Sequence, residues 1–107
     1  MKLILGTSNF GSFYGLGDKK KIYGFSKKEL EKISIIANKK KINFIDTSFN
    51  YKNSHLKISK LSISNKKIIT KISVKTIVKK KNFKNLVKKE ISLIIRKFNF
   101  KIYALLI

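Results

Sequence analysis

Cysteine is absent from this 107-residue chain, which excludes disulfide bonds, thiolate metal sites and thiol catalysis. No metal site is expected.

Long hydrophobic runs are also absent: the N-terminal block Leu3-Ile4-Leu5 is too short for the core of a signal peptide, and no stretch reaches transmembrane length. We therefore expect a cytoplasmic protein without a membrane partner. The hydrophobic content of 43% is ordinary for a globular chain, so residues 1–107 are predicted to form one domain.

Acidic residues and arginine are scarce, whereas lysine is abundant. Only 5 acidic residues oppose 26 basic ones, the net charge is +21, and Arg96 is the only arginine. Such a charge attracts polyanions, but proteins that read bases usually exploit the forked guanidinium of arginine. Proline and tryptophan are absent too, a composition that we attribute to an AT-rich genome. We expect no specific nucleic-acid partner, and the alternative is a small basic α/β module that binds RNA or another polyanion.

Strand-like and helix-like segments alternate along the chain. Short apolar runs predict four strands, at residues 2–5, 42–46, 67–71 and 101–107. Capping residues predict three helices, beginning after Ser26, Asn53 and Asn82. This alternation is typical of parallel βαβ units with right-handed crossovers, so the predicted fold class is α/β.

Capping residues and the spacing of apolar residues predict where the helices begin and end and which face is apolar. Ser26 and Glu29 form a capping box, and the helix that they begin is expected to end near residues 38–41, with Lys41 strained if its backbone is left-handed. The second helix is expected to extend past Leu56 to Leu61. In the third, one apolar face is predicted, with Val87, Ile91, Ile94 and Phe98.

Three residues suited to proton transfer lie at the exits of predicted strands. Asp46 ends the second strand, Tyr51 follows in the next loop, and Lys71 ends the third strand. A free phenol, with a pKa of about 10, is a poor proton donor at neutral pH, and a nearby ammonium lowers that pKa. A carboxylate beside the ammonium keeps it charged and in position. The three residues are therefore a candidate proton-donor system. Taken singly, each has a plainer interpretation, as a turn cap, a loop aromatic or one lysine among many.

The segments around these residues resemble the N-terminal part of an aldo-keto reductase. The resemblance lies in Gly6-Thr7-Ser8-Asn9-Phe10-Gly11, in Ile42-Asn43-Phe44-Ile45-Asp46-Thr47-Ser48-Phe49-Asn50-Tyr51, and in Lys67-Ile68-Ile69-Thr70-Lys71. It covers essentially all of the chain but less than half of a full-length member. It implies a partial (β/α)8 TIM barrel, with about four β/α units of parallel sheet, and NADPH-dependent reduction of an aldehyde or ketone.

The resemblance also implies roles for individual residues. Tyr51 protonates the carbonyl oxygen of the substrate, Lys71 assists the tyrosine with its positive charge, and Asp46 pairs with Lys71. Gly6 and Thr7 line the pocket for the nicotinamide of NADP.

Other parts of the family's site are expected to be different or missing here. Phe10 is a candidate for the substrate wall. The family places a histidine after its fourth strand and builds the cofactor's phosphate site later still, but the predicted fourth strand runs to Ile107, and we interpret the only histidine, His55, as a surface residue. The sequence therefore predicts an N-terminal fragment of an NAD(P)H-dependent oxidoreductase, inactive alone. Its open sheet edges favour self-association or assembly with a separate C-terminal half.

Overall fold

A parallel sheet with helical crossovers organises the chain. The computed structural model describes residues 2–11, 24–72, 83–98 and 101–106. In chain order, the elements within these residues are β1 (Ile4–Gly6), α1 (Lys27–Lys39), β2 (Phe44–Asp46), α2 (Ser54–Ser59), β3 (Lys67–Lys71), α3 (Phe83–Phe98) and β4 (Ile102–Leu106). All three strand pairs are parallel, and the strand order is β1-β2-β3-β4. The predicted α/β class with a four-stranded parallel sheet is confirmed.

The two faces of the sheet differ in their surroundings. Leu5, Ile45 and Ile68 are in register on neighbouring strands, and they pack with the helices in the hydrophobic core. Because side chains alternate along a strand, the residues between them face the other way. We call this second side the open face; its members include Ile4, Phe44, Asp46, Lys67, Lys71 and Tyr103. Ile4 and Tyr103 are both more than half exposed, which shows that this face is uncovered around them.

The core lies between the sheet and the helices α1 and α2. Its fully or nearly buried members are Phe10, Leu30, Ala37, Ile45, Ile58, Leu61, Ile63 and Ile68. Burying each large aliphatic side chain of this kind stabilises a fold by roughly 1.5–3 kcal/mol. Ser34 is also buried, and its hydroxyl donates to the carbonyl of Leu30 at 2.8 Å and accepts from the backbone N–H of Ser62 at 3.1 Å. The serine thereby ties α1 to the loop before β3 without leaving a buried polar group unpaired.

Helix α1 follows its sequence signals closely. The backbone N–H of Ser26 donates to the carboxylate of Glu29 at 2.7 Å, and the N–H of Glu29 donates to the Ser26 hydroxyl at 3.3 Å, so the predicted capping box is confirmed. The helix ends at Lys39, within the predicted range. Lys41 follows with a φ of 55°, and the predicted left-handed strain is confirmed.

Helix α2 is shorter than predicted. It ends at Ser59, and Leu61 lies in the following loop, where its side chain is buried in the core, while Leu56 on the helix is exposed. Asn53 does precede the helix, but with a φ of 55° and without a side-chain capping bond. The helix therefore ends earlier than the spacing of apolar residues predicts, because Leu61 is buried in the core from the loop.

Strand β3 spans the predicted residues 67–71 and α3 begins directly after Asn82, as predicted, whereas the boundaries of the other strands differ from the predictions by a residue or two. Strand β1 begins and ends slightly later than residues 2–5, and β2 is confined to the last part of residues 42–46. In α3, Ile94 is buried as predicted. The predicted cap Asn82 and the side chain of Phe98 lie outside the described residues.

Candidate active site

Asp46 and Lys71 form an ion pair at the end of the sheet where the strands finish, which we call the exit end. Asp46 is in register with Ile69, and Lys71 lies two residues farther along β3, so both side chains are on the open face. The Lys71 ammonium donates to both carboxylate oxygens of Asp46, each at 2.8 Å. Two short contacts to one carboxylate hold the ammonium in a defined position.

Tyr51 completes the group of three. Its backbone N–H donates to the carbonyl of Ser48 at 3.1 Å, and its own carbonyl accepts from the N–H of Ser54 at 3.1 Å, so a tight turn carries it back over the exit end. The Lys71 Nζ lies 5.6 Å from the centre of the tyrosine ring. The structure thus brings together the three residues that the sequence identified as a proton-donor system.

The ion pair changes the pKa of Lys71. A side-chain hydrogen bond to Asp46 raises the pKa of Lys71 above its ordinary value of 10.5. Partial burial opposes this rise in the pKa. The negative charge of Asp46 adds to the rise, as do the charge and hydrogen bonding of Tyr51. The Tyr51 phenol therefore lies within interaction range of the ammonium. The side chains of Lys71 and Asp46 are 37% and 30% exposed, so the pair is open to solvent and to a small substrate. At neutral pH the lysine is a permanent positive charge.

Thr7 and Gly6 lie beside the ion pair on β1 and the loop that follows. Thr7 is fully buried; its backbone N–H and its hydroxyl both donate to the Asp46 carbonyl, at 3.1 and 2.9 Å, and its own carbonyl accepts from the Ser54 hydroxyl at 2.9 Å. Thr7 thus anchors the backbone of Asp46. Gly6 is in register with Asp46, and a Cβ there would meet no atom within 4 Å, so there is open space beside the carboxylate.

Phe10 and His55, two further residues considered in the sequence, are both buried. Phe10 is 2% exposed and packs edge-to-face on Phe25, with ring centres 5.2 Å apart, so it is a core residue in this structure. Its role at a substrate wall stays a prediction. His55 is 6% exposed and its ring lies 4.6 Å from that of Phe49, so the interpretation of His55 as a surface residue is wrong. The reason is that the first turn of α2 directs His55 inward.

Sequence reasoning missed two features. Ser54 was not identified, yet it is fully buried and links α2 to Thr7. The contact between Phe44 and Tyr103, which lie edge-to-face with ring centres 5.0 Å apart, was not anticipated either. One available signal was the two-residue spacing of Phe44 from Asp46, which places both on one face. Alternation in β4 did not indicate the position of Tyr103, because a bulge interrupts the register there.

Two negative findings apply to the described residues, and a third applies to the chain as a whole. Within them, no group of three or more His, Cys, Asp or Glu side chains is placed to hold a metal ion. None of the helices in this part of the chain is long and apolar enough to cross a membrane. Comparisons of the chain with protein-family models, curated proteins and solved structures yielded no match.

Proposed function

We propose that this chain is the N-terminal part of an NAD(P)H-dependent oxidoreductase of the aldo-keto reductase type, folded as part of a (β/α)8 barrel. The observation that carries the proposal is the Asp46–Lys71 ion pair with Tyr51 beside it, at the exit ends of two neighbouring parallel strands. Barrel enzymes of this kind place their chemistry at that end. The consecutive strand order β1-β2-β3-β4 is also the order in which a barrel winds.

The geometry supports a different role for each of the three side chains. When a carbonyl substrate is reduced, its oxygen gains negative charge and needs a proton, which Tyr51 donates from its hydroxyl group. The ammonium of Lys71 then stabilises the phenolate left behind, because opposite charges attract at short range in a partly buried site. Asp46 holds the ammonium through two bonds, and Thr7 holds the backbone of Asp46.

One observation supports a place for the nicotinamide end of the cofactor. The open space at Gly6, beside Asp46, where an added Cβ would meet no atom within 4 Å, supports the approach of the flat nicotinamide ring at this position. When bound, NADPH supplies the hydride that reduces the substrate carbon. We propose that a histidine after the fourth strand and a site for the cofactor's phosphates belong to a further segment, so the 107 residues alone are expected to show no reductase activity.

The test is to fuse a C-terminal half of such a barrel after Ile107 and to measure hydride transfer in a single turnover. Tyr51→Phe is expected to slow this step by about 10²-fold or more, because the proton donor is lost. Lys71→Met is expected to slow it similarly, and Asp46→Asn less. Tyr103→Phe is the matched control, since it removes a phenol from the other end of the open face. An unchanged rate in Tyr51→Phe, with the control also unchanged, contradicts the proposal.

A further inference from the structure

A concave, lysine-rich surface lies at the opposite end of the sheet, where the strands begin, which we call the entry end. Two adjoining cavities, of about 630 and 360 Å³, share Asn43 and Lys67 in their walls. Six lysines line them: Lys2, Lys40, Lys41, Lys66, Lys67 and Lys101. They come from four separate segments of the chain, so the clustering is a product of the fold and is not a run of lysines in the sequence.

Carboxylates in the described part of the chain lie elsewhere. Glu29 and Glu31 are in the first turns of α1, near the exit end; Asp46 finishes β2 and binds Lys71; and Glu90 is in the middle of α3. A parallel sheet with helical crossovers places helix starts at the exit end and helix ends at the entry end. The entry end thus carries concentrated positive charge, which attracts anions.

Two aromatic rings adjoin this basic surface on the open face. Phe44 and Tyr103 lie edge-to-face, and the Lys67 ammonium is 5.1 and 5.2 Å from their ring centres. A bulge, visible as the register change from Ile68–Ile102 to Ile69–Ala104, gives β4 an extra residue, Tyr103. Tyr103 remains 59% exposed, which is high for an aromatic side chain on a strand.

From these observations we infer that the entry end binds single-stranded nucleic acid without sequence preference. Lysines spread along a groove hold successive phosphates, and an exposed ring offers a flat surface on which an unpaired base stacks. Tyr103 is the stacking residue and Lys67, beside it, is the phosphate contact. A second copy of this chain is a poor occupant for the same surface, because each copy carries a net charge of +21.

This site is separate from the proposed reductase site. It uses the opposite end of the sheet and none of the residues assigned to proton transfer. Strands added to close a barrel would cover the ring of Tyr103, so the binding is a property of the chain with its open face uncovered. The experiment therefore uses the 107-residue chain itself.

The experiment measures the fluorescence anisotropy of a labelled oligouridine of roughly 12 nucleotides as protein is added at several salt concentrations. We expect affinity to fall with salt, with a log–log slope of about −0.7 for each phosphate held. Lys67→Gln is expected to weaken binding and make the slope shallower by about 0.7. Lys27→Gln is the matched control: it removes the same charge from the exposed first turn of α1 and should leave both quantities nearly unchanged.

Base stacking is tested separately. Tyr103→Leu is expected to weaken oligouridine binding by about 10-fold, whereas Tyr103→Phe keeps the ring and the affinity. The unmodified protein should also bind oligouridine more tightly than an abasic oligonucleotide of equal length, a comparison that holds even if the leucine variant does not fold.

Four results would overturn the inference. Equal affinity for oligouridine and the abasic strand would show that no base stacks on the protein. Full affinity in a folded Tyr103→Leu variant would show that Tyr103 is not the stacking residue. Equal losses in Lys67→Gln and Lys27→Gln would show that only bulk charge attracts the RNA. A dimer that forms without RNA and dissociates on Tyr103→Leu, seen by analytical ultracentrifugation, would assign the surface to self-association.

Discussion

The interaction between Asp46 and Lys71 is expected to contribute a coupling of about 1 kcal/mol to the free energy of unfolding, measured by replacing each residue alone and both together. Asp46→Asn and Lys71→Met are made separately and together, so that a double-mutant cycle isolates the interaction from other effects. Hydrogen bonds to charged groups contribute about 1.5–3 kcal/mol when shielded from water. Here both N–O distances are 2.8 Å, but the side chains are 37% and 30% exposed, so solvent screening brings the expected value down.

The chain provides an internal control for this magnitude. Lys27 and Glu31 form a pair at 3.9 Å on the surface of α1, with side chains 86% and 60% exposed. A pair of this kind, four residues apart on a helix, contributes only about 0.3–0.5 kcal/mol. The cycle with Lys27→Gln and Glu31→Gln should therefore give a clearly smaller coupling than the cycle at Asp46 and Lys71.

The assay is urea denaturation followed by far-ultraviolet circular dichroism, with the midpoint converted to free energy where the slope is unchanged. Repeating both cycles in 1 M salt, where charges are screened beyond about 3 Å, should reduce the control coupling more than that of the bonded pair. A coupling at Asp46 and Lys71 no larger than the control would mean that the carboxylate does not hold the ammonium. In that case the positioning of Lys71 beside Tyr51, and the proton-donor argument with it, fails.

Two further predictions concern pH and backbone strain. Because Asp46 raises the pKa of Lys71, the folded chain holds that proton more tightly than the unfolded chain; the stabilisation is complete below pH 10.5 and is lost as the pH rises through the folded pKa. The Asp46–Lys71 coupling should therefore shrink above pH 10.5 in urea titrations, and a coupling that grows there would contradict this sign. Lys41→Gly should raise the free energy of unfolding by about 0.5–1 kcal/mol, because glycine adopts its φ of 55° without strain. Lys40→Gly, at a φ of −91°, is the control in the same denaturation assay and should not stabilise the protein.

Predictions from the sequence succeeded where the determining interactions are local. The capping box at Ser26 involves residues three apart, and the strain at Lys41 follows from the end of one helix. Strand and helix alternation likewise requires only periodicity and is enough to predict parallel pairing. The end of α2 was wrong because burial of Leu61, a contact with distant parts of the chain, decided it.

For the candidate site, the sequence was sufficient to select Asp46, Tyr51 and Lys71, because strand exits in a parallel sheet lie at one end. It did not indicate that Thr7 would be buried beneath them, with two hydrogen bonds to the Asp46 carbonyl, or that His55 would turn inward. Both outcomes depend on how the loops after β1 and β2 pack together, and sequence spacing carries no information about that packing.

By itself, then, the sequence determined the class of fold, the parallel arrangement of the strands and the residue types available for proton transfer, since these follow from periodicity, capping and the alternation of strands and helices. Only the tertiary structure decided the order of the strands in the sheet, the two bonds between Lys71 and Asp46 at the exit end, and the gathering of lysines from four segments at the entry end around Phe44 and Tyr103. Charge and aromatic content can be read along a chain, but their local concentration depends on which distant segments the fold brings into contact.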